Sequence, residues 1–196
     1  VGSETSFFFS KKNFKVLGID NDSRSYFFGN SASTKKMTKN LKNKIRDFQH
    51  HNIDVRNFKK LDQIFKKYND KIKCIIHCAA QPSHDWASKE PLTDFSINAN
   101  GTLNLLHLTK KYCKRSIFIY VSTNKVYGDL PNYLPLQEKK KRFEIKSNHT
   151  FYKGINEKMS IDKSVHSLIG VSKISGDLLV QEFGKNFKIK TGIFRL

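Results

Sequence analysis

Two groups in the second half of the chain have the side-chain types that proton transfer needs. Ser122 and Thr123 close the apolar run "SIFIYVST", and Lys173 follows 50 residues after Thr123 near the start of a predicted helix. A hydroxyl and an ammonium held together can polarise a carbonyl and shift the pKa of a neighbouring group. This combination indicates a site for general acid–base catalysis.

Residues near the start of the chain could hold a nucleotide cofactor. Gly2 lies where the first helix is predicted to begin, and a glycine there lets a helix pack closely on a strand while pyrophosphate rests on the helix N-terminus. Asp20 follows at a strand end, where a carboxylate can bind both ribose hydroxyls and repel a 2′-phosphate. This favours NAD over NADP, and hydride transfer as the chemistry. The alternative is that Asp20 is an ordinary turn residue in "DNDS".

Two further strand ends carry residues that suit a flat cofactor. In "IDVR", Asp54 could accept from an adenine amino group while Val55 covers the ring face. The alternative for Asp54 is a cap on the helix that follows. In "IIHCAAQPSH", the small Ala79 and Ala80 would let the backbone approach a bound cofactor closely.

Apolar runs alternate with amphipathic stretches along the chain, which is typical of a parallel sheet covered by helices. Runs such as "CIIHCAA" and "SIFIYVS" are apolar on both faces, as parallel strands buried on both sides are. The pattern predicts an α/β fold, a doubly wound, Rossmann-like parallel sheet in three layers. The predicted helices are 3–12, 35–48, 58–68, 93–112 and 167–187, and the predicted strands are 14–20, 50–55, 73–80, 116–123 and 190–196.

The segment 124–165 interrupts this alternation, because it carries Pro131, Pro135, Gly154 and scattered charges with no helical period. Long connections without secondary structure in compact folds tend to be functional. This segment follows a strand's carboxyl end, where doubly wound sheets bind ligands. We expect a structureless loop at the active-site end of one domain that spans residues 1–196.

The formal net charge of +19 could indicate binding to nucleic acid or to an anionic membrane surface. The lysines, however, are spread over every predicted helix, and no basic stretch is interleaved with aromatic residues. No apolar run reaches the roughly 18 residues of a membrane span, and the first residues lack the features of a signal peptide. We expect a cytoplasmic protein with a lysine-rich solvated surface and no specific nucleic-acid or membrane partner.

Cysteine and histidine spacing predicts neither a metal site nor a disulfide framework. The three cysteines are odd in number, and Cys74 and Cys78 lie inside an apolar run, so buried free thiols are expected. His77 has no partner at the spacing of a metal site, which favours a core histidine over a ligand.

The chain resembles the extended short-chain dehydrogenase/reductase family of NAD-dependent nucleotide-sugar epimerases and dehydratases. The resemblance runs from Gly2 to the last residue and is carried by "GIDND", "AAQPSHDWA", "NANGTLNLL", "STNKVYGD" and "VQEFG". Dehydratases of the family carry Thr-Asp-Glu where this chain has Thr123, Asn124 and Lys125, so the resemblance favours epimerisation over dehydration. It implies NAD as the cofactor, a nucleotide sugar as the substrate and a homodimer as one possible assembly.

The resemblance also implies roles for individual residues. Thr123 would hydrogen-bond the reacting sugar oxygen, with Asn124 beside the substrate. Lys173 would bind the nicotinamide ribose and lower the pKa of a catalytic tyrosine. The implied cofactor contacts are Gly2, Asp20, Asn21, Asp54, Val55, Ala79, Ala80, Gln81, Asn98 and Lys173.

The tyrosine that this family places four residues before the lysine is Ile169 here, in "VHSLIGVSK". An isoleucine can neither take nor give a proton, which leaves three alternatives. Another residue is the base, with His166 one helical turn earlier as the first candidate and Tyr127 and Tyr152 as the others. Otherwise the site binds cofactor and substrate without turnover, or the change has no consequence.

The chain opens on a predicted helix and stops on a predicted strand. We therefore expect it to lack the first strand of the dinucleotide-binding unit and a C-terminal substrate domain. In a sheet of order 3-2-1-4-5-6 the first strand is central, so its loss would leave strands 14–20 and 73–80 with a buried row of unpaired backbone groups between them. We expect the 196-residue chain alone to be marginally folded, inactive and unable to bind NAD.

Overall fold

The computed structural model describes residues 1–196, and its larger strands are parallel and joined through helices. One parallel pair has the order β1-β2, and a second sheet has the parallel order β3-β4-β7. This confirms the predicted Rossmann-like α/β fold. The strands are β1 (Leu17–Ile19), β2 (Gln49–His51), β3 (Cys74–His77), β4 (Ile117–Ser122), β5 (Leu136–Glu138), β6 (Phe143–Ile145) and β7 (Lys190–Arg195).

The five predicted helices are all present, with ends that shift by a few residues. Two short helices, α2 and α5, were not predicted, because six residues are too few to show a helical period. None of the helices has both the length and the apolar composition needed to cross a membrane. The helices are α1 (Gly2–Lys11), α2 (Ser23–Phe28), α3 (Lys35–Lys44), α4 (Phe58–Tyr68), α5 (His84–Lys89), α6 (Pro91–Phe95), α7 (Gly101–Tyr112) and α8 (Leu168–Phe187).

The predicted helix 93–112 is interrupted by a turn of π-helix over Ser96–Asn100, which separates α6 from α7. Pro91 occupies the first turn of α6, where its missing amide hydrogen costs nothing. A single π turn inside a helix is rare and often lies at a functional site. Here it carries Asn98, one of the residues expected near the cofactor.

The hydrophobic core lies between β4 and the helices α4, α7 and α8. Leu61, Leu106, Phe118 and Val180 are all completely buried in it. Helix α8 can approach β4 closely because Gly176 has no side chain: a β-carbon there would lie 2.5 Å from the hydroxyl oxygen of Tyr120. This close approach places the residues at the start of α8 beside the carboxyl end of β4.

No hydrogen-bond ladder joins β1 to β3, so each of these strands has one unpaired edge, as expected. The expectation of a buried row of unpaired groups is wrong, because all of β1 and three of the four residues of β3 are only half-buried. Burial of both faces is wrong for β4 as well, since Phe118, Tyr120 and Ser122 are buried while Ile117 is exposed. Parts of both sheets are therefore accessible to solvent.

The cysteines differ from the prediction for the same reason. All three are free thiols, but only Cys113 is buried, whereas Cys74 and Cys78 are half-buried on and just after β3. Burial still raises the pKa of each of these thiols. The prediction of free thiols is confirmed, and that of full burial is wrong for Cys74 and Cys78.

The segment 124–165 is not structureless, and that expectation is wrong. It contains two turns of 3₁₀-helix, Asn124–Tyr127 and Leu130–Tyr133, and the antiparallel hairpin formed by β5 and β6. Val126 and Met159 are buried in a small core of its own. The segment is a packed unit at the carboxyl end of β4, and its elements are too short to give a periodic pattern in the sequence.

Candidate active site

The predicted acid–base residues lie together at the carboxyl end of β4. Lys173 Nζ donates to the backbone oxygen of Val121 at 2.7 Å, two residues before Thr123, and lies 4.5 Å from the centre of the Tyr120 ring. The half-buried Thr123 follows the last residue of β4; its Oγ1 accepts from the amide of Lys125 at 3.3 Å. Helix α8 and strand β4 thus hold an ammonium and a hydroxyl at the same edge of the sheet.

Burial lowers the pKa of Lys173 from 10.5 to about 8. The side chain is enclosed because α8 lies directly on β4, and only 7% of Lys173 is exposed. The negative charges that act in the opposite direction belong to Cys78, Asp177 and Asp94. The ammonium can therefore lose its proton closer to neutral pH than a surface lysine does.

Ile169 is buried, with 6% of its surface exposed. His166, the first candidate for a substitute base, is not brought to the site. Its Nε2 lies 2.8 Å from the backbone oxygen of Ile161 and so carries a proton, while Nδ1 is buried without a partner. Neither nitrogen hydrogen-bonds Thr123 or Lys173, so this arrangement does not favour His166 as the base.

The two candidate tyrosines of segment 124–165, Tyr127 and Tyr152, differ in how free their hydroxyls are; the hydroxyl of the third, Tyr133, donates to Asp129. Tyr127 is buried; its hydroxyl accepts from Arg195 Nη1 at 3.1 Å and donates to the backbone oxygen of Asn156 at 3.3 Å. Tyr152 is 48% exposed, and its hydroxyl makes no hydrogen bond within the chain. Tyr152 is therefore the phenol of this segment that is free to reach a ligand.

Asp20 and Asn21 lie together at the carboxyl end of β1. The carboxylate of Asp20 is exposed, and its Oδ1 accepts from Thr34 Oγ1 at 2.7 Å while Oδ2 makes no hydrogen bond within the chain. An exposed carboxylate with a free oxygen fits the hydroxyls of a ribose. The sequence did not point to Thr34, because only the tertiary fold brings it to Asp20.

Asp54 is fully occupied by its own chain. It accepts from Asn21 Nδ2 at 2.9 Å, from Arg56 Nη2 at 2.7 Å, and from the amide and Nε of Arg56. No free oxygen remains to accept from an adenine amino group. The alternative that Asp54 caps the following helix is wrong, since Asn57 caps α4.

Val55 lies in the core rather than at the surface. It is 7% exposed. A β-carbon added to Gly101 would lie only 2.6 Å from Val55 Cγ2, so the two residues can pack this closely only because Gly101 has no side chain. The close approach between the residues after β2 and the start of α7 thus depends on that glycine. Only a small part of Val55 is left to contact a ring.

Gly2 is the first residue of α1 and lies beside the carboxyl end of β3. A β-carbon on Gly2 would be 3.9 Å from Cys78 Cβ. The partly positive N-terminus of α1 therefore lies next to the strand end that leads into Ala79 and Ala80, both of which are half-buried. The structure thus brings Gly2 and these alanines to one edge of the sheet.

Gln81 and Asn98 are buried and bonded to each other. The amide of Gln81 donates to Asn98 Oδ1 at 2.9 Å, and Asn98 Nδ2 donates to the backbone oxygen of Gln81 at 3.1 Å. His77 is a core residue, as expected: it is 3% exposed, its Nε2 lies 3.0 Å from Thr102 Oγ1, and burial lowers its pKa to about 3.

Sequence reasoning missed a buried ion pair behind the site. Asp177 binds Arg195 through two hydrogen bonds of 3.0 Å, and it accepts from Ser122 Oγ at 2.7 Å. Burial alone would raise the pKa of Asp177, but the hydrogen bonds from Arg195, Ser122 and Gln181 lower it below its usual value. The available signal was an acid one helical turn after Lys173, on the same face of α8.

These features define a Rossmann-like α/β protein with a buried lysine at the strand ends. The family model described as GDP-mannose 4,6 dehydratase matches residues 1–196. The chain belongs to this family of NAD-dependent epimerases and dehydratases.

Particular relatives are similar over only part of their own length. The chain is 31% identical to the CDP-paratose 2-epimerase of Salmonella typhi over an alignment of 171 residues that covers 84% of this chain and 47% of that protein. The UDP-Glc/GlcNAc 4-epimerase of Campylobacter jejuni is similar in structure, with a TM-score of 0.73 and 19% identity over 99% of this chain and 49% of that one. Thermus thermophilus UDP-glucose 4-epimerase in complex with NAD gives a TM-score of 0.69 at 18% identity, over 99% of this chain and 50% of that one. The chain spans about half the length of these proteins.

Proposed function

We propose that the whole protein is an NAD-dependent nucleotide-sugar epimerase that acts like CDP-paratose 2-epimerase. The observation that carries this proposal is the bond from Lys173 Nζ to Val121, which holds a buried ammonium beside Thr123. The similarity to the Salmonella typhi CDP-paratose 2-epimerase supports the substrate class. Asn124 and Lys125 replace the acids of a dehydratase site, which favours epimerisation.

The residues present fit a nicotinamide cofactor at the carboxyl edge of the sheet. Asp20 offers an exposed carboxylate oxygen for the adenosine ribose, and Gly2 begins the helix whose N-terminus suits pyrophosphate. Ala79 and Ala80 add no bulk beside the place of the nicotinamide, and Lys173 is placed for its ribose. When bound, NAD supplies the hydride transfer that oxidises a sugar hydroxyl and reduces the resulting ketone.

Thr123 and Lys173 supply the polar contacts to the reacting sugar. The Thr123 hydroxyl would hydrogen-bond the sugar oxygen, and the Lys173 charge would favour negative charge developing on a nearby oxygen. Removal of the hydroxyl proton needs a base, and Ile169 cannot serve. Of the three candidates only Tyr152 has a free hydroxyl, because that of Tyr127 is hydrogen-bonded within the chain, His166 Nε2 bonds the Ile161 oxygen and His166 Nδ1 is buried.

Incubation of the whole protein with CDP-paratose and NAD⁺ tests this function. We expect CDP-tyvelose, detected by NMR, with no net consumption of NAD⁺. Tyr152→Phe is expected to abolish conversion, whereas His166→Ala, the control, is expected to retain it. Absence of conversion with this and every other nucleotide sugar would overturn the proposal.

A second candidate, favoured by the buried Ile169, is a module that binds cofactor and nucleotide sugar without turnover. It predicts measurable NAD⁺ binding and no epimerisation in the wild-type protein. Ile169→Tyr distinguishes the two: a large gain of activity from nearly none would mean that the base was lost. Unchanged activity in that variant would favour a substitute base.

We also propose that the protein forms a homodimer through α6, α7 and α8. These helices carry several large apolar side chains that are exposed in the single chain. Single exposed leucines are ordinary, but a set of them on neighbouring helices is typical of an interface. They are Leu92, Phe95, Leu103, Leu168, Val171 and Leu178. The chain is otherwise strongly basic, so this apolar face is the surface best suited to a second copy.

For the 196-residue chain on its own we propose that it is inactive and binds NAD weakly at best. No strand joins β1 to β3 by hydrogen bonds, so fewer backbone hydrogen bonds hold the region where Gly2 and Asp20 lie. Calorimetric titration of this chain with NAD⁺ and a thermal melt test the proposal. Micromolar binding with one sharp unfolding transition would overturn it.

A further inference from the structure

Asp94 is a carboxylate inside the protein that forms no salt bridge, although the charge of Lys173 is near enough to act on its pKa. It lies in α6 and is 1% exposed. Its Oδ1 accepts from Gln81 Nε2 at 2.8 Å and from Asn98 Nδ2 at 3.1 Å, while Oδ2 is buried without any partner. Burying a carboxylate costs free energy unless hydrogen bonds replace its lost hydration, and here only one of the two oxygens has such bonds. A buried polar group of this kind calls for an explanation.

The two donors to Asp94 belong to the residues that fix the path of the chain after β3. Asn98 bonds both the amide and the carbonyl of Gln81, and its Nδ2 lies 3.0 Å from Ser172 Oγ on α8. The side chain of Gln81 in turn donates to the backbone oxygen of Ser83 at 2.9 Å. One acid therefore orients both amide side chains that join the end of β3 to α8.

The network of Asp94, Gln81 and Asn98 lies between the segment after β3 and the start of α8. The segment it fixes, 79–83, begins two residues after the end of β3, and Ser172 immediately precedes Lys173. Asn98 lies in the π turn, where an extra residue per turn displaces the backbone from a regular helical path. A rigid path for 79–83 is what close backbone approach to a flat cofactor requires.

We propose that Asp94 is a positioning residue for the cofactor: through Gln81 and Asn98 it holds segment 79–83 in the conformation that binds the nicotinamide end of NAD. This inference rests on the proposed function, since it needs this edge of the sheet to bind NAD. What Asp94 supplies is the acceptor oxygen Oδ1. Its other oxygen has no partner and so contributes no hydrogen bond.

This assignment separates two substitutions of similar size. Asp94→Asn keeps an acceptor oxygen for Gln81 and Asn98, and it places its amide where Oδ2 had no partner. Asp94→Leu fills the space and removes the acceptor. We expect Asp94→Leu to raise the Kd for NAD⁺ by about 10-fold or more, the size of losing hydrogen bonds to a charged group, and Asp94→Asn to stay within about 3-fold of the wild type.

The experiment is calorimetric titration of the whole protein with NAD⁺, together with hydrogen exchange at the backbone amide of Gln81. Asp62→Asn is the control. Asp62 lies away from the site, near the surface, and accepts a hydrogen bond of 2.9 Å from Lys111. Gln81→Met removes the donor from the opposite side and should reproduce the affinity of Asp94→Leu. This second variant decides the question if Asp94→Leu fails to fold.

In Asp94→Leu we expect weaker binding and faster exchange at the Gln81 amide, with neither change in Asp62→Asn. The inference is overturned if Gln81→Met or a folded Asp94→Leu binds NAD⁺ as the wild type does. It is also overturned if Asp94→Asn is as weak as Asp94→Leu. A wild-type protein that binds no NAD⁺ would overturn the proposed function and the cofactor role together, and slow exchange at Gln81 would then leave Asp94 as a purely structural residue.

Discussion

Replacing Lys173 by methionine should change the pH dependence of stability in a way that reports its burial. The pKa of Lys173 falls from 10.5 to about 8 because α8 and β4 enclose the ammonium. A shift of this size corresponds to roughly 3 kcal/mol of unfavourable free energy for keeping the proton in the folded state. Methionine has a similar length and no charge, so it removes this cost along with the bond to Val121.

The sign of the effect follows from which state holds the proton. Below pH 8 both folded and unfolded chains keep Lys173 protonated, and the whole cost is present. Between about pH 8 and 10.5 the folded state releases the proton while the unfolded state keeps it, so the free energy of unfolding rises with pH. From pH 7 to 9.5, Lys173 alone should add about 2 kcal/mol.

Urea denaturation of the wild-type protein and Lys173→Met at several pH values between 7 and 9.5 measures this. The difference between the two proteins removes the contributions of cysteines and tyrosines that titrate in the same range. Lys36→Met is the control, because Lys36 is exposed on α3. NMR of lysines labelled at Cε gives the midpoint directly, from the resonance missing in Lys173→Met. A difference that stays flat with pH, or a midpoint of 10 or above, would show that water reaches the ammonium and that the burial argument is wrong.

Three further perturbations follow from the packing and the surface. Gly176→Ala places a β-carbon 2.5 Å from the Tyr120 hydroxyl, so a loss of about 1–3 kcal/mol in urea denaturation is expected despite the better helix propensity of alanine; unchanged stability would mean that α8 can move away from β4. Asp177→Asn weakens the buried pair with Arg195 and should cost about 3–5 kcal/mol at pH 7. Because the pKa of Asp177 is lowered, this difference should shrink in denaturation curves below about pH 4, and a constant difference would contradict the pairing. Leu103→Lys should convert a dimer to monomers in analytical ultracentrifugation, whereas a variant that remains dimeric would exclude the α6–α8 face.

The elements that the sequence predicted are those with long, regular patterns. The strand 116–123 and the helix 167–187 agree with β4 and α8 to within a residue, because apolar residues recur along the whole length of each. The hairpin of β5 and β6 was missed, since three-residue strands carry no alternation to detect. The prediction that the strands are fully buried was wrong, because the sequence pattern shows which residues are apolar but not how much of the sheet is covered by helices.

The candidate site was predictable where its residues follow directly on strands. Thr123 and Asp20 lie at the carboxyl ends of β4 and β1. Asp94 and Asp177 were missed because their importance arises from complete burial, which one sequence does not reveal for an acid within a helix. Asp54 lies at the expected edge, but one sequence does not reveal that Arg56 bonds both of its oxygens.

The hydrogen bonds around Ile169 do not involve its side chain. Ser172 Oγ donates to the backbone oxygen of Ile169 at 3.2 Å and accepts from Asn98 at 3.0 Å, and neither bond involves the isoleucine side chain. The bond from Lys173 to Val121 does not involve it either. The polar groups that would place a cofactor are therefore held by backbone and by neighbouring side chains, so the proton-transfer group could change without dismantling the binding site. A tyrosine introduced at this position would enter an arrangement already hydrogen-bonded on its other sides, which is why its effect on activity separates lost chemistry from lost structure.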